Sequence, residues 1–136
     1  ASMSSIFPAP GLSVYGATKH AALGLTVSLA GDLDRASIPI EVSAVCPHAI
    51  NTDMIRDIQE LEGADVAFIG SGLLTVQDVA RVALDLVDNP KLVVAVPRSQ
   101  AALAHILRPF PTATLRMLKP LFRLGEWQRR RSVDKP

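Results

Sequence analysis

Cysteine is nearly absent: Cys46 is the only one in 136 residues, so no internal disulfide can form. One thiol and three scattered histidines also give no metal-finger spacing. Aromatic side chains make up 4% of the chain, so its core must be aliphatic. No apolar run approaches the roughly 18 residues that a membrane-spanning helix needs. No basic-then-apolar leader opens the sequence, which begins Ala-Ser-Met-Ser-Ser. An excess of one charge is missing too, since the formal net charge is +1 with 20% charged residues. At 49% apolar, that balance is far from the composition of a disordered chain. These absences leave a single globular unit, expected to be soluble and cytoplasmic.

The small net charge conceals a segregation. Residues 1–104 hold six Lys/Arg against eleven Asp/Glu, and residues 105–136 hold eight against two. The chain reads as an acidic body, residues 1–98, followed by a basic helical tail, residues 99–136.

Within the body, residues 2–13 are rich in Ser, Pro and Gly and form a loop. A helix spans Val14 to Arg35, where Ala17, Ala21, Leu25, Ser28, Leu29 and Asp32 recur at three- and four-residue steps behind Ser13 as N-cap. Gly16, Ala17, Ala21, Ala22, Gly24 and Ala30 keep this helix thin, so a partner helix can approach closely. Ile40 to Cys46 is β-branched and apolar, a strand ended by Pro47. A short helix covers Asp53 to Leu61, and a loop through Gly63, Gly70 and Gly72 follows. Thr75 and Asp78 resemble a capping box. The helix it opens carries Val76, Val79, Ala80, Ala83, Leu86 and Val87 on one face until Asn89-Pro90. Leu92 to Val96 is a continuous apolar strand, typical of parallel strands covered on both faces. Strand, helix and strand at these lengths make a βαβ unit of an α/β domain. Two strands rarely stand alone as a sheet, so the body reads as part of a larger one.

Tyr15 is the only tyrosine, and Lys19 follows four positions later on the same helix face. An ammonium beside a phenol favours the phenolate and fits it for general acid-base work. A surface tyrosine beside a solvated lysine has the same spacing, so the pair alone is a weak signal. Ser2 lies thirteen residues before Tyr15, across a loop that can fold it back against the phenol. Its hydroxyl could donate to a substrate carbonyl oxygen, although Ser4, Ser5 and Ser13 compete for that role. The segment from Pro47 to Thr52 puts a turn and a hydroxyl at the carboxyl end of a parallel strand, where open α/β sheets bind ligands.

Over about residues 1–98 the chain resembles the C-terminal half of the short-chain dehydrogenase/reductase family. The resemblance rests on Ala-Ser-Met, on Pro-Ala-Pro-Gly-Leu-Ser-Val-Tyr-Gly-Ala-Thr-Lys-His-Ala, on Leu23-Gly24-Leu25-Thr26 and on Val45-Cys46-Pro47 in register. It implies part of a Rossmann-like, doubly wound parallel sheet with a helical C-terminal extension. It also implies an oxidoreductase using NAD or NADP on an alcohol or ketone. In that reading Tyr15 is the general acid or base, Lys19 assists it and reaches the nicotinamide ribose, and Ser2 polarises the carbonyl. Ile50 through its backbone and Thr52 through its hydroxyl meet the nicotinamide carboxamide, beside Pro47. Residues Asp53 to Leu74 cover the substrate, and Met54, Ile55, Leu61, Phe68 and Ile69 favour a hydrophobic one. The helix from Val14 to Arg35 is where family members commonly assemble, which implies a homo-oligomer.

Two departures stand out. His48 occupies the position where the family usually has glycine, most simply as a tolerated substitution. The 136 residues also hold no glycine-rich phosphate loop, no acidic residue for the adenosine ribose and no family catalytic asparagine. The expectation is a truncated or complemented chain that does not turn over alone. In the tail, Ala101, Ala102, Leu103, Ile106 and Leu107 suggest one short helix. Thr112 or Thr114 would cap a second, carrying Leu115, Leu118, Phe122 and Leu124 beside Arg116, Lys119 and Arg123. Trp127 and Arg129-Arg130-Arg131 could lie on an anionic membrane surface, but packing or disorder is favoured, since a charge run is usually a solvated face. Nucleic-acid binding is not expected. The rival readings are a non-catalytic assembly module and a membrane-surface adaptor built on the tail.

Overall fold

The structure is a computed structural model that describes residues 1–7, 10–58, 72–99, 102, 106, 109–116 and 119–120. A single 3-10 turn, Met3–Ser5, leads to helix α1, Ser13–Arg35. Strand β1, Ala44–Pro47, is followed by helix α2, Asp53–Ile58. Helix α3, Val76–Asp88, then precedes strand β2, Val93–Val96. The strands pair in parallel with Ala44 opposite Val93 and Pro47 opposite Val96. This α/β arrangement is consistent with part of a Rossmann-like sheet. The core gathers where turn, helix and sheet meet: Ile6, Leu23, Ala44, Cys46 and Ala95 are buried together, with Met3, Phe7 and Val93 packed against them.

Strand β1 is shorter than the apolar run that predicts it. Ile40 to Ser43 lie outside it, because β2 begins at Val93 and leaves them no opposite strand in register. Pro47 closes the strand without loss, since the ladder to β2 uses the flanking residues; His48 N–H donates to the Val96 carbonyl at 2.8 Å. A further parallel bridge joins Ile50 to Leu74.

Helix α1 starts one residue earlier than expected, and Ser13 is its first residue, not its cap. The cap position is Leu12, whose side chain makes no capping hydrogen bond. At the other end the chain stops in a Schellman motif: Ile38 N–H donates to Leu33 O and Ser37 N–H to Asp34 O. Ser37 takes the left-handed position with φ of 55°, where glycine is usual. The inward stripe runs Leu12, Gly16, Lys19, Leu23, Thr26, Ala30 and Leu33. The residues that give the sequence its helical period, Ala17, Ala21, Leu25, Ser28, Leu29 and Asp32, all face outward.

Helix α3 bears out its capping box. Thr75 Oγ1 accepts from Asp78 N–H at 3.1 Å, and the Asp78 carboxylate accepts from Thr75 N–H at 3.0 Å. Its inward face is rotated from the expected one: Val79, Val82 and Leu86 turn in, while Val76, Ala80, Ala83 and Val87 are exposed. Apolar side chains wrap more than half of this helix, and a two-stranded sheet covers one flank only.

In the tail, residues 111–116 are helical, and Thr112 and Thr114 lie inside that stretch instead of capping it. The Leu118, Phe122, Leu124, Trp127 and Arg129–Arg131 assignments lie outside the described residues, as do Leu61 and the loop glycines Gly63 and Gly70. Among the described residues no helix is long and apolar enough to cross a membrane.

Candidate active site

The first turns of α1 carry Tyr15 and Lys19. The helix brings them together as the spacing predicts, with the Lys19 ammonium 5.2 Å from the centre of the Tyr15 ring. The cation stands over the ring face. Tyr15 remains 38% exposed, so its phenol is open to a ligand. Lys19 sits on the inward stripe and is half-buried.

The turn bearing Ser2 packs against this end of α1. It lies against Gly16, where a Cβ would sit 3.8 Å from the Ser4 carbonyl oxygen, an ordinary contact. Ser2 is the N-cap of the 3-10 turn and is buried at 9% exposure. Its Oγ accepts from Ser4 N–H at 3.2 Å. That contact uses an oxygen lone pair and leaves the hydroxyl hydrogen without an acceptor among the described residues. Ser5, named only as a competitor for Ser2, turns out to hold it: Ser2 N–H donates to Ser5 Oγ at 3.3 Å, and Ser5 Oγ donates back to the Ser2 carbonyl. The Ser2-x-x-Ser5 spacing of a capping box was a readable signal for this.

The carboxyl end of β1 supplies the other predicted residues. Pro47 ends the strand, and Ile50 begins the bridge to Leu74. The bridge uses Asn51 N–H and the Ala49 carbonyl, so the N–H and C=O of Ile50 itself face away from Leu74. Thr52 Oγ1 donates to the Ile50 carbonyl at 3.3 Å. His48 does not need the glycine it replaces, since its φ lies outside the left-handed region. A phenol and an ammonium on α1 beside a serine turn, and a backbone edge beyond β1, are the group types that the nicotinamide end of a dinucleotide would use. Nothing in the sequence fits its pyrophosphate, for want of a glycine-rich strand-to-helix loop.

The sequence model for short chain dehydrogenases matches residues 1–63, the stretch holding all of these groups. The chain belongs to the short-chain dehydrogenase family. A short-chain dehydrogenase of Aspergillus ruber, fogB, is 37% identical over 100 residues, covering 73% of this chain and 34% of that protein. The short-chain dehydrogenase srdC of Neurospora crassa is 35% identical over 83 residues, 61% of this chain and 28% of its own length. The 1-deoxy-11-beta-hydroxypentalenate dehydrogenase of Streptomyces avermitilis is 41% identical over 58 residues, 43% of this chain and 21% of that enzyme. The chain thus spans about a third or less of the length of these relatives. No solved structure matches it.

Proposed function

We propose that the protein carrying this chain is an oxidoreductase that moves a hydride between NAD(P)(H) and an alcohol/carbonyl pair. The observation that carries the reading is the Tyr15–Lys19 pair on one helix turn, packed beside the Ser2 turn. A bound nicotinamide dinucleotide supplies or accepts the hydride. Tyr15 exchanges the proton at the substrate oxygen, giving it in reduction and taking it in oxidation. Lys19, standing over the Tyr15 ring, reaches towards the nicotinamide ribose. Ser2 donates its free hydroxyl hydrogen to the carbonyl oxygen, where negative charge develops. Pro47, Ile50 and Thr52 face the carboxamide end. Exposed Met54 and buried Ile55 on α2 support a hydrophobic substrate.

The test is turnover of a ketone with NADH and NADPH by the protein carrying this chain. Tyr15→Phe should lower kcat by about 10²–10⁴-fold, the usual worth of a positioned acid-base group, without unfolding the protein. Undiminished kcat in that variant defeats the reading. The 136-residue polypeptide alone, verified by intact mass, should show no turnover, because it has no pyrophosphate loop.

The outward face of α1 supports assembly into a homo-oligomer through this helix. Leu25, 72% exposed, is at its centre. Leu25→Arg should shift sedimentation to a smaller species with little change in melting temperature; an unchanged species would exclude this face.

A further inference from the structure

We infer that Ser5 is a positioning residue for Ser2 and that Cys46 locks it to the sheet. This rests on the reading of Ser2 as the carbonyl-polarising hydroxyl. Ser5 and Cys46 are both fully buried, at 0% exposure, and their Oγ and Sγ lie 3.5 Å apart across 41 residues of sequence. Ser5 Oγ takes a hydrogen bond from Ser2 N–H and gives its own hydrogen to the Ser2 carbonyl. Its single hydrogen is thereby used, so the Cys46 thiol is the donor in the contact between them. Ser5 N–H also donates to the Ser2 carbonyl, at 2.9 Å.

Both backbone polar groups of Ser2 are therefore held by one residue, and that residue is tied to β1. β1 is also the strand whose carboxyl end leads to Ile50 and Thr52. The Ser5–Cys46 contact fixes the carbonyl-polarising hydroxyl and the strand leading to the carboxamide edge in one frame. With its backbone held, Ser2 presents its Oγ to the Ser4 N–H, which keeps the hydroxyl oriented. A buried serine whose only task was packing would be replaceable by alanine without effect on Ser2.

The Ser4 amide, bonded to Ser2 Oγ, reports that orientation directly. In the ¹⁵N-labelled protein carrying this chain, Ser5→Ala should raise Ser4 amide exchange about tenfold while the Leu23 and Leu86 amides keep their rates. Ser5→Thr, which retains the hydroxyl, should restore protection. Ile6→Val perturbs the same buried turn without touching Ser2 and should leave Ser4 protected at an equal loss of melting temperature. Cys46→Ala should loosen Ser4 less than Ser5→Ala does. Unchanged Ser4 exchange in Ser5→Ala, or equal loosening by Ile6→Val, overturns the inference.

A kinetic arm separates this from the functional reading, using the protein carrying this chain with NADPH and 2-decanone. Ser5→Ala should lower kcat about fivefold with the KM for NADPH unchanged. Ser2→Ala is the control. If it leaves kcat intact while Ser5→Ala still loosens Ser4, the geometry holds and the carbonyl role of Ser2 fails.

Discussion

Helix α3 starts on a reciprocal pair of hydrogen bonds between Thr75 and Asp78, whereas α1 starts at Leu12, whose side chain caps nothing. The shorter helix is defined by its own sequence. The longer one begins where it does because the Ser2–Ser5 turn and Ile6 pack against it, with Leu23 anchoring it to Ala44, Cys46 and Ala95. The candidate active site sits on the helix whose start depends on tertiary contact. Its geometry is thus coupled to the core.

That contrast can be broken most severely at Ile6. Ile6→Ala empties a fully buried position and should cost about 2–5 kcal/mol in denaturant unfolding. Amide protection should fall first around Tyr15 and leave α3 unaffected until global unfolding. Equal loss in both helices would mean that they form one cooperative unit. Thr75→Ala should cost about 1 kcal/mol and fray only the first turn of α3.

Acid should imitate that change. Asp78's side-chain and backbone hydrogen bonds with Thr75, aided by Arg81, hold its carboxyl below the usual 3.8. The depressed value means that the cap is fully formed at neutral pH. Its contribution is lost as pH falls below 3.8 and through the folded value. A pH titration of α3 amide shifts, compared with those of Thr75→Ala, would expose any other source. The smallest effect belongs to the far end of α1. Ser37→Gly removes a left-handed serine and should stabilise by about 0.5–1 kcal/mol, seen as a higher urea midpoint. No gain would show that the Schellman end is unstrained.

Much of the local structure was legible because its causes are local. The Thr75–Asp78 box lies within four residues, and the Tyr15–Lys19 pair within five. Which faces turn inward was not legible. Both α1 and α3 are apolar on more than one side, so Ala17 and Leu25 mark the helical period as well as Gly16 and Leu23 do. The length of β1 escaped for a related reason, since Ile40 and Val42 have strand chemistry but no strand opposite them among the described residues. The Ser5–Cys46 contact joins residues 41 apart, and periodicity carries no trace of such a pair.

The Schellman stop gives α1 a definite length. Twenty-three residues make a rod about 35 Å long, with Tyr15 near one end and Ser37 just past the other. A tilt of about 2° about the far end carries the phenol through about 1 Å, a misplacement that can cost roughly a hundredfold in rate. The rod is a lever whose short stroke is largest at the Tyr15 end. Leu25 and Leu29 stand on the outer flank of this rod, away from the packed side that carries Leu23.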